Sequence, residues 1–180
     1  MIRRPPRSTL SSSSAASDVY KRQQIYISPY IPSRTLLNLE STKCAVVNYT
    51  DNTSFFVDCI IGNKKFKKKK CRKFPGFFLE NCFGYEQVRV KKIIKDKLRP
   101  TFVCEIDKSF QIKNYEGHNR AKASIIEACI LASRVNLLDK KKILNELNYL
   151  SISVEKTSGS LEKKSWKKIL KFIYEKIDEK

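Results

Sequence analysis

The hydrophobic period of this chain changes near His118, and that change limits the possible folds more than any other feature. Before His118, apolar and polar residues alternate over short runs; in residues 85–94, Val88 and Val90 fall on one face. After it, apolar residues recur at helical spacing, at Ala121, Ile125, Ile126, Cys129 and Ile130. A period of two is typical of half-buried strands, and a period near 3.6 of amphipathic helices. The order predicts an α+β protein with strands first and helices last.

Short strands are predicted throughout the first part of the chain. They cover residues 25–27, 43–49, 55–61, 85–94, 102–106 and 110–112. Turn signals, such as Gly62 followed by Asn63, separate them. Short strands interrupted in this way predict an antiparallel barrel or a sandwich.

Three helices are predicted after His118. Asn119 is the expected N-cap of the first, and Asp139 of the second, which continues through Leu147. Residues 152–154 predict a short extended piece. The last helix follows Gly159, and its apolar stripe consists of Trp166, Ile169, Leu170, Ile173 and Ile177.

The first 23 residues differ in composition from the rest. They are rich in Arg and Ser, lack an apolar period, and resemble a translated sequencing adapter. We expect this segment to be artefactual or disordered. The expected organisation is therefore residues 1–23 as that segment, residues 24–116 as a partial barrel, and residues 117–180 as a helical extension.

The chain is strongly basic. Its 180 residues carry a formal net charge of +19, and the densest run, KKFKKKKCRK, extends from Lys64 to Lys73. Like-charge runs usually lie in solvated loops, but a basic surface also attracts polyanions. With Phe66, Phe74, Phe77 and Phe78 nearby for base stacking, the alternative function is a basic nucleic-acid-binding module.

Cysteine and histidine usage argues against a metal site. None of the six cysteines forms a C-x-x-C pair, and His118 is the only histidine. Cys44, Cys59, Cys104 and Cys129 lie in apolar runs and are expected to be small buried residues. Nothing in the sequence suggests secretion, so we expect reduced thiols and a cytoplasmic location. No apolar run reaches the length of a membrane span.

A hydroxyl-rich turn, Ser33-Arg34-Thr35, opens the segment PSRTLLNLESTKCAVVNYTD. Two hydroxyls, a guanidinium and the N–H groups of a starting helical turn suit a phosphate. The same residues also suit a simple capped turn between strands. Asn38 either joins the phosphate site or caps the turn. Asn48 and Asp51 either reach a ligand beyond the strand or close it as an Asx-turn.

This segment resembles the part of flavin-reductase-like split barrels that receives the phosphate of FMN, most closely in an archaeal family called domain of unknown function 447. The segments NRAKASIIEACILASRVNLL and VEKTSGSLEKKSWKKILKFIYEKI resemble the helical part of the same family. The resemblance covers about residues 24–180. It implies an antiparallel split β-barrel with a C-terminal helical extension, FMN as cofactor, and a homodimer.

The resemblance also sets the expected roles. Ser33, Arg34, Thr35 and Asn38 would hold the phosphate, and Asn48 and Asp51 would reach the ribityl chain or the ring. If the protein is an enzyme, its reaction class is flavin-mediated electron or hydride transfer; the catalytic residues are unknown. The family's first strands are not found upstream of Ile25, so we expect an N-terminally truncated chain. For Glu127 we expect an ion pair with Arg120 or Arg134.

Overall fold

The computed structural model describes residues 24–63 and 65–179, so the expectation for residues 1–23 lies outside the described residues. The strands are β1 Gln24–Ile27, β2 Cys44–Tyr49, β3 Lys68–Lys70, β4 Phe77–Leu79, β5 Gly84–Ile94 and β6 Thr101–Gln111. The helices are α1 Arg34–Thr42, α2 Thr53–Ile60, α3 Arg120–Ser133, α4 Lys140–Thr157 and α5 Ser160–Asp178. The described residues form two compact units. The first contains residues 24–47, 70–77 and 85–110, and the second residues 48–69, 78–84 and 111–179.

The main sheet has the strand order β1-β6-β5-β2, and β3 pairs with β4 in a second sheet. Strand β1 runs antiparallel to β6, with Gln24 opposite Glu105 and Ile27 opposite Phe102. Helices combined with antiparallel strands confirm the predicted α+β class. Over the described residues the main sheet has two free ends and is open, whereas the sequence predicted a barrel.

Helix α1 packs on one face of the main sheet. Leu36 and Leu39, three residues apart, lie on the same side of the helix and are buried, whereas Leu37 is exposed. They form a core with Val88 and Phe102 of the sheet. The core of the first unit thus forms where the apolar face of α1 meets the apolar face of the sheet.

Four helices, α2 to α5, build the core of the second unit. Its buried residues include Val57, Ile125, Ile143 and Ile169, each of which is fully buried. Side-chain caps begin three of these helices: Asn52 for α2, and Asn119 and Asp139, as predicted, for α3 and α4.

Two predicted strands are wrong. Residues 55–61 were expected to be a strand, but most of them form helix α2, whose start is fixed by the Asn52 side chain accepting from Ser54 N at 3.1 Å. Residues 152–154 were expected to be extended, but they lie inside α4, because Val154 packs into the helical core. Tertiary packing there overrides the strand preference of β-branched residues.

The cysteines are mostly buried and form no disulfide; all six lie in the described residues. Burial of Cys44, Cys104 and Cys129 is as predicted, but Cys59 is exposed. Desolvation, with a smaller contribution from Cys59, raises the pKa of the Cys129 thiol to about 12. Such a thiol stays protonated and behaves as an apolar side chain.

A search of the described helices for a segment long and apolar enough to cross a membrane finds none.

Candidate functional site

The N-terminus of α1, in the first unit, contains three of the six predicted site residues. Ser33 is its N-cap, with extended backbone, and its Oγ accepts a hydrogen bond from Leu36 N at 3.2 Å. Arg34 and Thr35 follow in the first turn, and both are exposed. This geometry brings the predicted Ser-Arg-Thr group together at one helix end.

That helix end can bind an anion. The first N–H groups of a helix have no acceptor within it, and the helix dipole favours negative charge there. The first turn of α1 contains no acidic residue. Ser33 uses only a lone pair for the cap, so its hydroxyl hydrogen can still be donated to a ligand.

Asn38 does not cap the helix; it lies one turn further along α1. Its carbonyl accepts from Ser41 Oγ at 3.0 Å and from Thr42 Oγ1 at 2.8 Å, and the residue is exposed. The capping alternative is therefore excluded by Ser33, which holds that position.

Asn48 and Asp51 lie in the second unit. Asn48 Oδ1 accepts from Leu79 N at 2.9 Å, so its amide is bonded to a segment 31 residues away. Asp51 Oδ2 pairs with Lys122 Nζ of α3 at 2.5 Å. Both side chains therefore make hydrogen bonds within this unit.

The Asp51–Lys122 pair is only partly exposed, with 28% of each side chain accessible. The hydrogen bond that Lys122 donates to Asp51 raises the pKa of Lys122. Desolvation opposes this shift, and the negative charges of Asp51, Glu162 and Glu116 add to it. Lys122 therefore remains charged throughout the physiological range.

A cavity of about 420 Å³ opens beside this pair, within the second unit. It is lined by Tyr49, Thr50, Asp51, Phe83, Tyr115, Gly117, His118, Asn119, Lys122, Ala123, Ile126 and Glu127. The Phe83 and Tyr115 rings meet edge to face, with centroids 5.3 Å apart. The walls of the cavity therefore combine two aromatic rings with the Asp51–Lys122 ion pair.

Backbone hydrogen bonds hold Phe83 in place at this cavity. Its N–H donates to the Tyr49 carbonyl at 2.7 Å, and its carbonyl accepts from Ile112 N and Lys113 N at 2.8 and 3.0 Å. A second cavity of about 210 Å³ shares Asp51, Phe83 and Lys122 with the first. No local pattern in the sequence pointed to Phe83 or Lys122, since their partners are distant along the chain.

Glu127 does not form the ion pair that the sequence suggested. It is exposed at the cavity wall, and no salt bridge between described residues includes it. Arg120 instead donates to Ser153 Oγ at 3.0 Å. Glu127 lies on the solvent side of α3, so its charge needs no partner. Within residues 24–63 and 65–179, we find no group of three or more His, Cys, Asp or Glu side chains arranged for a metal.

The protein is of the α+β class: its first unit is an antiparallel sheet covered by helix α1, and its second unit is mainly helical. The N-terminus of α1 suits an anion. The sequence of the protein matches the family described as Protein of unknown function (DUF447) in two parts. The N-terminal domain of that family matches residues 19–113, and its C-terminal part matches residues 119–171. The chain belongs to this family.

A similar fold occurs in a crystal structure described as an FMN-bound protein of the same family from Methanosarcina mazei. The TM-score is 0.67 at 19% sequence identity, and the match covers 82% of this chain and 80% of the other. At that identity the likeness shows the fold. No curated protein matches the chain significantly.

Proposed function

We propose that this protein binds FMN and that the N-terminus of α1 holds the phosphate. The observation that carries the proposal is the Ser33-Arg34-Thr35 turn: a capped helix start, exposed hydroxyl and guanidinium donors, and no acid in the first turn. Phosphate carries close to two negative charges at neutral pH and accepts several hydrogen bonds.

The residues present fit that group. Ser33 and Thr35 supply hydroxyl donors, and Arg34 supplies a planar fork that can bind two phosphate oxygens. Each charge-assisted hydrogen bond contributes about 1.5–3 kcal/mol. Asn38, exposed on the next turn, is a further candidate donor.

The comparisons support the ligand and the wider fold. The protein from Methanosarcina mazei is described as FMN-bound, and both halves of this chain match its family. We extend the proposal to a flavin-reductase-like split barrel that functions as a homodimer. Asn48 and Asp51 stay predicted contacts of the ribityl chain or ring.

FMN, when bound, would supply the electron- or hydride-transfer chemistry, and the chain would bind and orient it. The residues at α1 would hold the phosphate by hydrogen bonds and charge and would take no part in redox chemistry. No residue is proposed as a catalytic acid or base.

The test compares FMN with riboflavin, which has the same ring but no phosphate. We expect Arg34→Ala to weaken FMN by about 1.5–3 kcal/mol, or about ten- to a hundredfold, and to leave riboflavin almost unchanged. Thr35→Val should act in the same direction but less. The measurement is a titration that follows flavin fluorescence.

The matched control is Arg72→Ala, which removes the same charge from an exposed arginine of the same unit. It should leave FMN affinity within about twofold. Equal losses of FMN and riboflavin in Arg34→Ala would mean that the turn does not recognise phosphate. Absence of FMN binding by the parent protein would reject the proposal as a whole.

A further inference from the structure

A second basic feature, separate from the α1 turn, lies before and within β3. Lys65, Lys67, Lys68 and Lys69, named here the lysine segment, are all exposed and all belong to the second unit. The side chains of Lys65, Lys67 and Lys69 take part in no salt bridge with another described residue. Their charges therefore face solvent without compensation from those residues.

The backbone of the lysine segment is held in place. The Phe66 ring packs edge-on against Phe55 of α2, with centroids 5.6 Å apart. The Lys67 carbonyl accepts from Glu80 N at 3.1 Å, and Lys65 N donates to Asn63 Oδ1 at 3.3 Å. Because the backbone between the lysines is anchored, the lysines extend from an ordered segment and not from a free tail.

The lysine segment suits a nucleic-acid backbone. Successive side chains of an extended strand point to opposite faces, so lysines on one face are two residues, or about 6.6 Å, apart. Such a row presents positive charge along its length, and positively charged surfaces of this kind follow the phosphates of a flexible single strand. A membrane surface offers no such linear array, and the lysine segment has no exposed apolar side chain that could insert into one.

Two of the four phenylalanines near the basic run do not support base stacking. Phe66 is already packed against Phe55, and Phe74 is buried, at 4% exposed, whereas Phe77 is 52% exposed. Since Phe66 is the aromatic residue within the lysine segment, binding there would depend on phosphates.

We propose that the lysine segment binds the sugar–phosphate backbone of single-stranded nucleic acid without reading its sequence. This activity is independent of the proposed flavin site. Each neutralised phosphate of a single strand contributes about −0.7 to the slope of log affinity against log salt, so binding should weaken steeply as salt rises.

The test is a fluorescence-anisotropy titration of two labelled 20-nucleotide single strands of unrelated sequence, at several salt concentrations. The variant is Lys67→Gln/Lys68→Gln/Lys69→Gln. The matched control is Lys140→Gln/Lys141→Gln/Lys142→Gln, which removes three consecutive exposed lysines from the first turn of α4. Both variants lower the net charge equally, so the comparison separates a local site from overall charge.

We expect the parent to bind both strands alike. The lysine-segment variant should bind at least about tenfold more weakly at low salt, with a salt slope smaller by about 2, whereas the control should change affinity less than about threefold. Equal losses in the two variants would assign the binding to net charge and overturn the proposal. A clear preference for one sequence would also overturn it. The proposal would also be overturned if the parent bound the nucleic-acid strands weakly but bound phosphatidylserine–phosphatidylcholine vesicles tightly.

Discussion

Replacing Ser33 by Asp separates the structural role of this residue from its proposed role toward FMN. Ser33 Oγ caps α1 by accepting from Leu36 N. Aspartate is as good an N-cap as serine, and its charge suits the helix dipole. We therefore expect Ser33→Asp to leave the free energy of unfolding within about 0.5 kcal/mol of the parent or to raise it slightly.

The effect on FMN should be large, for two reasons. The carboxylate has no hydrogen to donate, which removes a charge-assisted bond of about 1.5–3 kcal/mol. It also repels the phosphate: two charges against one, about 4 Å apart at an exposed site, cost about 2 kcal/mol in water. Together these predict a loss of about 3.5–5 kcal/mol, or at least about a hundredfold in affinity.

Fluorescence titrations with FMN and riboflavin, paired with urea unfolding of each variant, measure both effects. Ser160→Asp is the control, since it makes the same substitution in the first turn of another helix, α5. It should leave both flavins unaffected. If Ser33→Asp kept FMN affinity within threefold of the parent, or weakened riboflavin equally, phosphate could not lie at this helix end.

Two further predictions concern the second unit. Single and double alanine substitutions of Asp51 and Lys122 should show a coupling of about 0.5–1 kcal/mol in unfolding free energy, as for a partly exposed ion pair, and additive effects would contradict the pairing. The pKa of Cys129 is raised to about 12 in the folded protein, whereas in the unfolded chain the thiol has its ordinary pKa of 9.0. The unfolded chain therefore loses this proton first as pH rises. The contribution of this thiol to the free energy of unfolding is highest below pH 9 and falls as pH rises from 9 towards 12. Urea unfolding should show a decline above pH 9 of up to about 1.4 kcal/mol per pH unit that is reduced in Cys129→Ala, and parallel pH profiles of the two proteins would refute it.

Local capping chemistry made much of the fold predictable. Asn119 and Asp139 were recognisable as caps because a polar residue stands just before an apolar periodic run, and the structure uses both. The same signal, at Asn52, was present before α2 but was outweighed by the aromatic and β-branched content of residues 55–61. Short apolar runs fit both periods, so the cap was the better guide.

Of the two candidate sites, one could be located from the sequence and the other could not. The α1 turn could be located from sequence because Ser33, Arg34 and Thr35 are adjacent in the chain. The cavity of the second unit could not, because the Asp51–Lys122 pair joins residues 71 positions apart. Asn48 shows the same limit: its amide bonds to Leu79, a partner that no local pattern identifies.

The start of α4 bears on how the abundance of lysine should be understood. Lys140, Lys141 and Lys142 occupy its first turn, where the helix dipole disfavours positive charge, and the helix depends on the Asp139 cap to begin there. The presence of lysines at a position where their charge opposes the helix dipole is not explained by a stabilising effect on that helix. Codon usage is one source of lysine that is indifferent to position. The total charge of such a protein is then a poor guide to its partners, and only lysines with an ordered placement can be informative about them.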